Sequence, residues 1–190
     1  MARIASLADP ATRQLLTGTL ASGGLVIMPC DTIYGIVGVA PDTESRMRAT
    51  KGRGESKPFI QLIPEAGWLE RLSLARPSAG ILALWPGPLT LILSALGGGT
   101  VAVRLPDDEL LRAVMRELGK PLYSTSVNLA GEPALSSPEA IFASFGGVVD
   151  LIVDAGDRRG GPSTIVDLTV RPHRVVRQGT LEVPESCLSG

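Results

Sequence analysis

Two short polar segments, far apart in the chain, carry residue types that could bind a nucleotide. Lys51 and Arg53 place two positive charges within one helical turn, and both residue types bind phosphate, Arg as a rigid fork and Lys as a point charge. Ser126 and Asn128 flank one apolar residue, so an extended segment would put the hydroxyl and the amide on the same face. These four side chains predict a polar pocket for a polyanion that carries a sugar.

Several familiar sites are absent from the sequence. It contains neither a Gly-x-x-x-x-Gly-Lys-Ser/Thr loop nor a Gly-x-Gly-x-x-Gly motif. The single histidine, His173, does not favour a zinc site or a Ser-His-Asp triad. Two cysteines, Cys30 and Cys187, are too few for a zinc ribbon or a disulfide framework. We therefore expect a nucleotide site without a protein-held metal.

Composition predicts a single domain over residues 1–190. The hydrophobic fraction is 44%, enough for a substantial core. Lys and Arg number 18 against 19 Asp and Glu, a net charge of −1 that does not favour a dedicated nucleic-acid binder. The chain does not start like a signal peptide, and Pro86-Gly87-Pro88 interrupts its longest apolar stretch. These features predict a cytoplasmic protein without membrane segments.

Caps and apolar runs predict alternating helices and strands in irregular order. Helix starts are expected at Asp9-Pro10, Asp42-Thr43, Pro77, Asp107 and Ser137-Pro138. Strands are expected at 25–28, 59–63, 89–93, 101–105, 121–125, 151–153, 164–168 and 174–176. Because strands and helices mix without strict alternation, the sequence predicts an α/β domain with an open, twisted, mixed sheet.

Seven motifs in order, between Gly24 and Gly179, resemble those of the YrdC-like family. They are Pro29-Cys30-Asp31-Thr32-Ile33-Tyr34-Gly35-Ile36, Lys51-Gly52-Arg53, Trp85-Pro86-Gly87-Pro88-Leu89-Thr90, Val103-Arg104-Leu105-Pro106, Ser124-Thr125-Ser126-Val127-Asn128-Leu129-Ala130-Gly131, Pro162-Ser163-Thr164-Ile165-Val166-Asp167 and Arg177-x-Gly179. One such motif would be weak evidence, whereas the ordered set makes a strong resemblance.

The resemblance implies an enzyme, a nucleotidyltransferase that makes L-threonylcarbamoyladenylate from L-threonine, bicarbonate or CO2, and ATP. Pyrophosphate is released, and Mg2+ would accompany ATP. This reaction is the first step of threonylcarbamoyladenosine formation at position 37 of tRNA, so other proteins would transfer the product to tRNA. The implied fold is a YrdC-like sheet around a large, positively charged central cavity.

The resemblance also implies roles for individual residues. Lys51 and Arg53 would be catalytic and bind ATP, together with Lys57, Thr100, Ser126, Asn128 and Arg177. Arg104 would pair with the threonine carboxylate, because Arg binds carboxylates through two parallel hydrogen bonds. Thr32, Ser124 and Ser163 would contact the threonine hydroxyl or carboxylate, and Tyr34 would orient bicarbonate.

Departures from the family pattern leave alternatives open. Cys30 replaces the usual threonine, and Leu62 stands where longer relatives often carry a histidine. A YciO-type paralogue with weak or no synthase activity is one alternative, and a double-stranded RNA-binding module is another. Without the motifs, Lys51 and Arg53 would be interpreted as solvated charges at a helix end, and Asp31 as a turn or cap ligand.

Overall fold

The computed structural model describes residues 1–52, 58–129 and 131–189, and within these ranges ten strands form one mixed sheet. The strands are β1 (Arg3–Ser6), β2 (Val26–Cys30), β3 (Ile33–Val39), β4 (Ile60–Leu62), β5 (Leu89–Ser94), β6 (Thr100–Arg104), β7 (Leu122–Ser126), β8 (Leu151–Asp154), β9 (Thr164–Asp167) and β10 (Arg174–Arg177). Their order across the sheet is β1-β8-β2-β3-β7-β4-β6-β5-β9-β10. Parallel and antiparallel pairs both occur, which confirms the predicted mixed sheet.

Helices cover both faces of this sheet. They are α1 (Thr12–Ala21), α2 (Glu44–Lys51), α3 (Ala79–Leu82), α4 (Glu109–Leu118) and α5 (Pro138–Phe145), with short 3₁₀ helices at Ala66–Arg71 and Glu185–Cys187. Helices α1 and α4 pack through Leu16, Leu20 and Leu111 over β3, β4 and β7, on what we call the front face. Met47 of α2 and Phe145 of α5 are buried on the back face. The described helices include none long and apolar enough to cross a bilayer.

The sequence did not predict strands β1 and β3. Strand β3 lies between β2 and β7 in the sheet, but it carries Gly35 and Gly38, which weaken a strand pattern. Both glycines have tertiary reasons. A Cβ on Gly38 would lie 2.4 Å from Oγ1 of Thr43, and one on Gly35 would lie 2.7 Å from Sγ of Cys30. Close packing against neighbours therefore explains why both positions of this strand carry glycine.

Three predicted helix starts are shifted. The first helix begins at Thr12, and Asp9 Oδ1 instead accepts a hydrogen bond from the Ala11 N–H at 2.8 Å in the preceding turn. Asp108, not Asp107, caps α4 by accepting from the Leu111 N–H. The helix expected to start at Pro77 is capped by Ser78 and is a single turn, α3. The predicted Ser137 cap of α5 is confirmed.

Candidate nucleotide and amino-acid site

The strand register places four of the predicted site residues on one face of the sheet. Ser124 pairs with Ile60, and Ile60 pairs with Ala102, two residues before Arg104 on β6. Residues paired across strands, and alternate residues within a strand, point to the same face. Ser124 and Ser126 of β7 and Thr100 and Arg104 of β6 therefore share the front face.

Part of this face is not closed over by helices. From β7 to β9 the register runs through a row of half-buried side chains, Ser124, Ile60, Ala102, Ile92 and, one pair further along, Ile165. The neighbouring Leu62 and Leu122, by contrast, are buried under α4. We call the half-buried row the open strip. It gives the predicted polar residues an apolar floor that solvent can reach.

One end of the strip is occupied by what we call the lysine cluster, Lys51, Ser126 and Asn128. Lys51 Nζ donates to the backbone oxygen of Ser126 at 2.6 Å, to the backbone oxygen of Asn128 at 2.5 Å and to Asn128 Oδ1 at 2.7 Å. Ser126 Oγ donates to the same Oδ1 at 2.6 Å. With Lys51 only 4% exposed, the interpretation of this residue as a solvated surface charge is wrong.

The Ser-x-Asn pair is brought together by a turn and not by strand alternation. Strand β7 ends at Ser126, and Asn128 lies in the bend that follows. The backbone N–H of Asn128 donates to the Ser126 carbonyl at 3.2 Å. Nδ2 of Asn128 donates to the carbonyls of Leu129 and Glu132, both at 2.8 Å. Asn128 thus fixes the turn with its amide nitrogen and the Lys51 ammonium with its amide oxygen.

A second group, which we call the arginine cluster, consists of Asp31, Thr90, Arg104, Ser163 and Arg177. Arg104 ends β6, and its Nη2 donates to Asp31 Oδ1 in an ion pair whose two side chains are each 7% exposed. Arg104 Nε donates to the Gly87 carbonyl at 3.3 Å. Arg104 therefore reaches the predicted face, but its nearest anion is Asp31, which the sequence assigned to a turn or cap.

Ser163 joins the remaining members of the arginine cluster. Its hydroxyl shares a hydrogen bond of 2.9 Å with Thr90 Oγ1, and Thr90 is the register partner of Arg104. Arg177 donates through Nε and Nη2 to the Ser163 carbonyl at 3.2 and 2.8 Å. Burial and the nearby positive charge of Arg104 lower the pKa of Arg177. Two guanidinium groups thus lie close enough to repel, an arrangement suited to binding an anion.

Burial also changes the titration of neutral and acidic groups beside the arginine cluster. It raises the pKa of the Cys30 thiol from 9.0 to about 12, against the opposing effect of Arg104. It also raises the pKa of Asp108. Cys30 is 4% exposed and packs in the core beneath the front face. The cysteine that replaces the family's threonine is therefore a buried, protonated thiol.

Thr32 lies at the turn between β2 and β3, next to the Asp31–Arg104 pair. Its N–H is shared between the Cys30 carbonyl at 2.8 Å and Asp31 Oδ1 at 2.9 Å. The Gly160 backbone packs so closely on this turn that a Cβ there would lie 1.9 Å from the Thr32 carbonyl oxygen. The segment before β9 therefore closes over Thr32, and only glycine fits at position 160.

Tyr34 is not brought together with the other predicted residues. It is fully buried with Ile36 and Tyr123 on the back face, opposite to Ser124. Its hydroxyl donates to the Gly156 carbonyl at 2.9 Å and accepts from the Ala155 N–H at 2.8 Å. The expectation that Tyr34 orients bicarbonate does not match this placement, because its polar atom anchors the segment after β8.

Three further predicted residues lie away from the two clusters or outside the description. Arg53 and Lys57 lie outside the described residues. Thr100 begins β6 and is exposed, four residues from Arg104 on the same face. At about 3.3 Å per residue, that separation is roughly 13 Å along the strand. A nucleotide would have to extend along the strand direction to contact both Thr100 and Arg104.

A separate groove of about 970 Å³ lies between α1 and β1, lined in part by Arg3, Arg46 and Asp150. It includes none of the predicted site residues, and Arg46 is paired with Asp150 at 2.7 Å. The clustered polar side chains, and not this groove, mark the candidate site. The large, positively charged central cavity expected from the resemblance stays a prediction.

Sequence comparison agrees with the motifs. The family model Sua5_yciO_yrdC, described as "Telomere recombination", matches residues 18–179. The chain belongs to this family. It is 34% identical over 187 residues to the threonylcarbamoyl-AMP synthase of Pyrococcus abyssi, covering 90% of this chain and 55% of that protein. It is 31% identical to the Vibrio cholerae threonylcarbamoyl-AMP synthase, covering 87% of this chain and 96% of that protein.

Structure comparison finds the same fold in solved proteins. P. abyssi Sua5 complexed with L-threonine superposes with a TM-score of 0.87 at 29% identity, covering 98% of this chain and 59% of that one. E. coli YciO superposes with a TM-score of 0.85 at 24% identity, covering 96% and 98%. This chain thus spans a little over half of the P. abyssi protein and nearly all of YciO.

Sequence reasoning missed the contributions of Asp31, Thr90 and Gly160 to this site. Asp31 and Thr90 both lie inside recognised motifs, but their contacts join segments far apart in the chain. The available signal was Arg104, a charged residue in the apolar strand expected at 101–105, since buried charges are nearly always paired. That signal does not identify the partner.

Proposed function

We propose that this protein catalyses formation of L-threonylcarbamoyladenylate from L-threonine, bicarbonate and ATP, with release of pyrophosphate and water. The observation that carries the proposal is the front face, where the lysine cluster and the arginine cluster flank an open apolar strip. Two anionic substrates need two cationic sites, and this face supplies them. The family membership and the activity named for the two relatives support the same reaction.

The lysine cluster is the proposed binding site for the triphosphate. Lys51 is held by backbone and amide oxygens at the end of β7, so its charge is positioned before ATP arrives. Preorganised charge stabilises the transition state because little reorganisation is needed during reaction. Arg53 and Lys57 are proposed to add to this charge, and Ser126 and Asn128 to contact the nucleotide.

The arginine cluster is the proposed binding site for the amino acid. Arg104 would receive the threonine carboxylate, with the hydroxyls of Ser163, Thr32 and Ser124 near it. Arg177, beside Ser163, would serve the nucleotide side of the same pocket. The threonine bound by P. abyssi Sua5 in its crystal structure supports an amino-acid site in this fold.

In the proposed reaction, the threonine amine adds to the carbon of bicarbonate-derived CO2 and loses a proton, which gives a carbamate. A carbamate oxygen then attacks the α-phosphorus of ATP, and the bond from that phosphorus to the pyrophosphate oxygen breaks. The second step brings two anions together, so the protein's task is positioning and charge neutralisation rather than nucleophilic attack.

Magnesium is proposed to enter with ATP as part of the substrate. No group of three or more His, Cys, Asp or Glu side chains in the described residues could hold a metal ion. Asp31, the carboxylate nearest Arg104, already accepts from a guanidinium and two backbone N–H groups. Phosphate oxygens and water would therefore be the main ligands, as Mg2+ commonly has in nucleotide sites.

The test is pyrophosphate release with ATP, Mg2+, bicarbonate and L-threonine, each omitted in turn. Release that requires every substrate supports the synthase. ATP turnover that is indifferent to threonine would instead favour a YciO-type paralogue. Salt-sensitive binding of double-stranded RNA without any turnover would favour the RNA-binding alternative. The acyl-adenylate product is expected to pass, in the cytoplasm, to proteins that transfer the threonylcarbamoyl group to tRNA.

A further inference from the structure

Asp31 contacts three elements of the site through one carboxylate. Oδ1 accepts from Arg104 Nη2 and from the Thr32 N–H, and Oδ2 accepts from the Asp107 N–H at 3.2 Å. These donors belong to the end of β6, the turn after β2 and the segment before α4. The side chain is 7% exposed, so water contributes little to holding it, and the protein donors fix its position.

The backbone of Asp31 adopts a conformation that most residues avoid. Its φ is +58°, and within the described parts of the chain no other non-glycine residue has a positive φ. Asp and Asn enter this region more readily than other side chains because they can hydrogen-bond locally. Such conformations persist where surrounding contacts determine them, and they cluster at functional sites. The left-handed turn aims the carboxylate at Arg104.

Arg104 keeps donors available after it has paired with Asp31. A guanidinium has five N–H groups, and Arg104 uses one on Nε for Gly87 and one on Nη2 for Asp31. The described residues supply no acceptor for Nη1, yet Nη1 is not among the buried polar atoms that lack a partner. Nη1 therefore keeps some contact with solvent, on the front face that Arg104 shares with Ser124.

We propose that Asp31 is a positioning residue that fixes the Arg104 guanidinium and the Thr32 turn for an amino-acid carboxylate. This inference rests on the proposed function, because it assigns the ligand of Arg104 to that substrate. Asp31 holds one side of the guanidinium, and the remaining N–H groups point to the ligand. The bound carboxylate adds to the pair without displacing Asp31.

A double-mutant cycle on L-threonine affinity tests this role. Isothermal titration would compare the unmodified protein with Asp31→Asn, Arg104→Lys and the double variant. Asn tolerates the left-handed backbone and keeps one oxygen, but it loses the charge and the second acceptor. We expect Asp31→Asn to weaken threonine binding about tenfold, as for one charge-assisted hydrogen bond, and to leave ATP affinity unchanged.

The cycle separates positioning from general damage. If Asp31 acts through Arg104, its substitution should have little further effect once Arg104 is Lys, because residues that share one interaction are not additive. Asp42→Asn is the matched control, since Asp42 forms an exposed ion pair with Lys120 at 2.8 Å and its side chain is 52% exposed. It should bind threonine normally.

Three results would overturn the inference. Additive losses would mean that Asp31 does not act through Arg104, and tighter threonine binding by Asp31→Asn would mean that Asp31 competes with the ligand. Unchanged threonine binding by Asp31→Asn would mean that Asp31 does not position the site. If Asp31→Asn does not fold, Asp31→Gly keeps the positive φ and enters the same cycle. An unmodified protein that binds no threonine would defeat the proposed function itself, and the inference with it.

Discussion

The lysine cluster and the arginine cluster each hold a buried cation, but they hold it differently. Lys51 donates to three oxygens that all come from one short segment, residues 126–128, which lies 75 to 77 residues further along the chain. Arg104 contacts a carboxylate 73 residues away and a carbonyl 17 residues away. A single distant segment thus supplies these contacts to the first cation, whereas two separate segments hold the second. Substitutions should therefore have contained effects in the first cluster and coupled effects in the second.

The largest expected effect is the loss of the Lys51 charge. Lys51→Met should lower synthesis about a hundredfold or more, because it removes a preorganised positive charge from the proposed phosphate site. It also leaves three oxygens without this donor, which should cost about 1–3 kcal/mol in the free energy of unfolding. Pyrophosphate release and urea unfolding would measure the two effects.

Lys120→Met is the matched control for Lys51→Met. Lys120 is an exposed lysine with 54% of its side chain accessible, so the same change there should alter stability by no more than about 0.5 kcal/mol. Near-normal synthesis by Lys51→Met would show that the lysine cluster is not the triphosphate-binding site.

The next largest effect is expected at Arg104. Arg104→Lys keeps the positive charge but loses the planar fork, so the threonine concentration needed for half-maximal rate should rise about tenfold. The ATP requirement should change little. Steady-state rates at varied threonine and varied ATP would separate the two, and Arg116→Lys, in an exposed pair with Glu109, is the control.

The Arg104 result sharpens the comparison between the clusters. A larger effect on ATP than on threonine would place Arg104 on the nucleotide side. The division of the front face into a phosphate end and an amino-acid end would then be wrong.

A smaller effect is expected at Ser126. Ser126→Ala removes the hydroxyl that donates to Asn128 Oδ1 at 2.6 Å but leaves the contact from Lys51 to that oxygen. The loss of one neutral hydrogen bond, about 0.5–1.5 kcal/mol, should weaken ATP binding several-fold and spare threonine binding. Titration with each ligand alone measures this, with Ser22→Ala as an exposed serine control. Equal losses for both ligands would show that the effect spreads beyond the lysine cluster.

The smallest effect on activity is expected at Cys30, beside the arginine cluster, where the predicted change is in stability at alkaline pH. Burial raises its pKa from 9.0 to about 12 in the folded protein. The unfolded chain therefore releases this proton first as pH rises. Its contribution to stability is complete below about pH 9 and should be lost between about pH 9 and 12, at roughly 1.4 kcal/mol per pH unit.

Unfolding free energies of Cys30→Ala and of the unmodified protein, measured from pH 8 to 11, check this expectation. The variant should show a shallower alkaline decline. Cys187→Ala, at a partly exposed cysteine, should keep the original slope. Rapid alkylation of Cys30 in the folded protein at pH 8 would contradict a buried, protonated thiol.

Much of the fold could be predicted from the sequence because the signals are local. Predicted strands at 89–93, 101–105 and 121–125 correspond to β5, β6 and β7. The helix expected to start at Asp107 corresponds to α4, which buries Leu111, Val114 and Met115. Strand β3 was missed because its two glycines serve neighbours that a local pattern does not show. The Asp107 cap was one residue off because Asp107 and Asp108 are equally good caps in sequence.

The sequence by itself determined which residue types were available for chemistry, Lys51, Ser126, Asn128 and Arg104 among them, and the order of the motifs that carry them. Only the tertiary structure decided which of them share a face. Ser124 and Arg104 lie on the same face because β4 pairs with both β7 and β6, while Tyr34 points to the opposite face. The reason is physical: strand register and buried ion pairs such as Asp31–Arg104 join residues distant in the chain, and local propensity carries no information about such pairings.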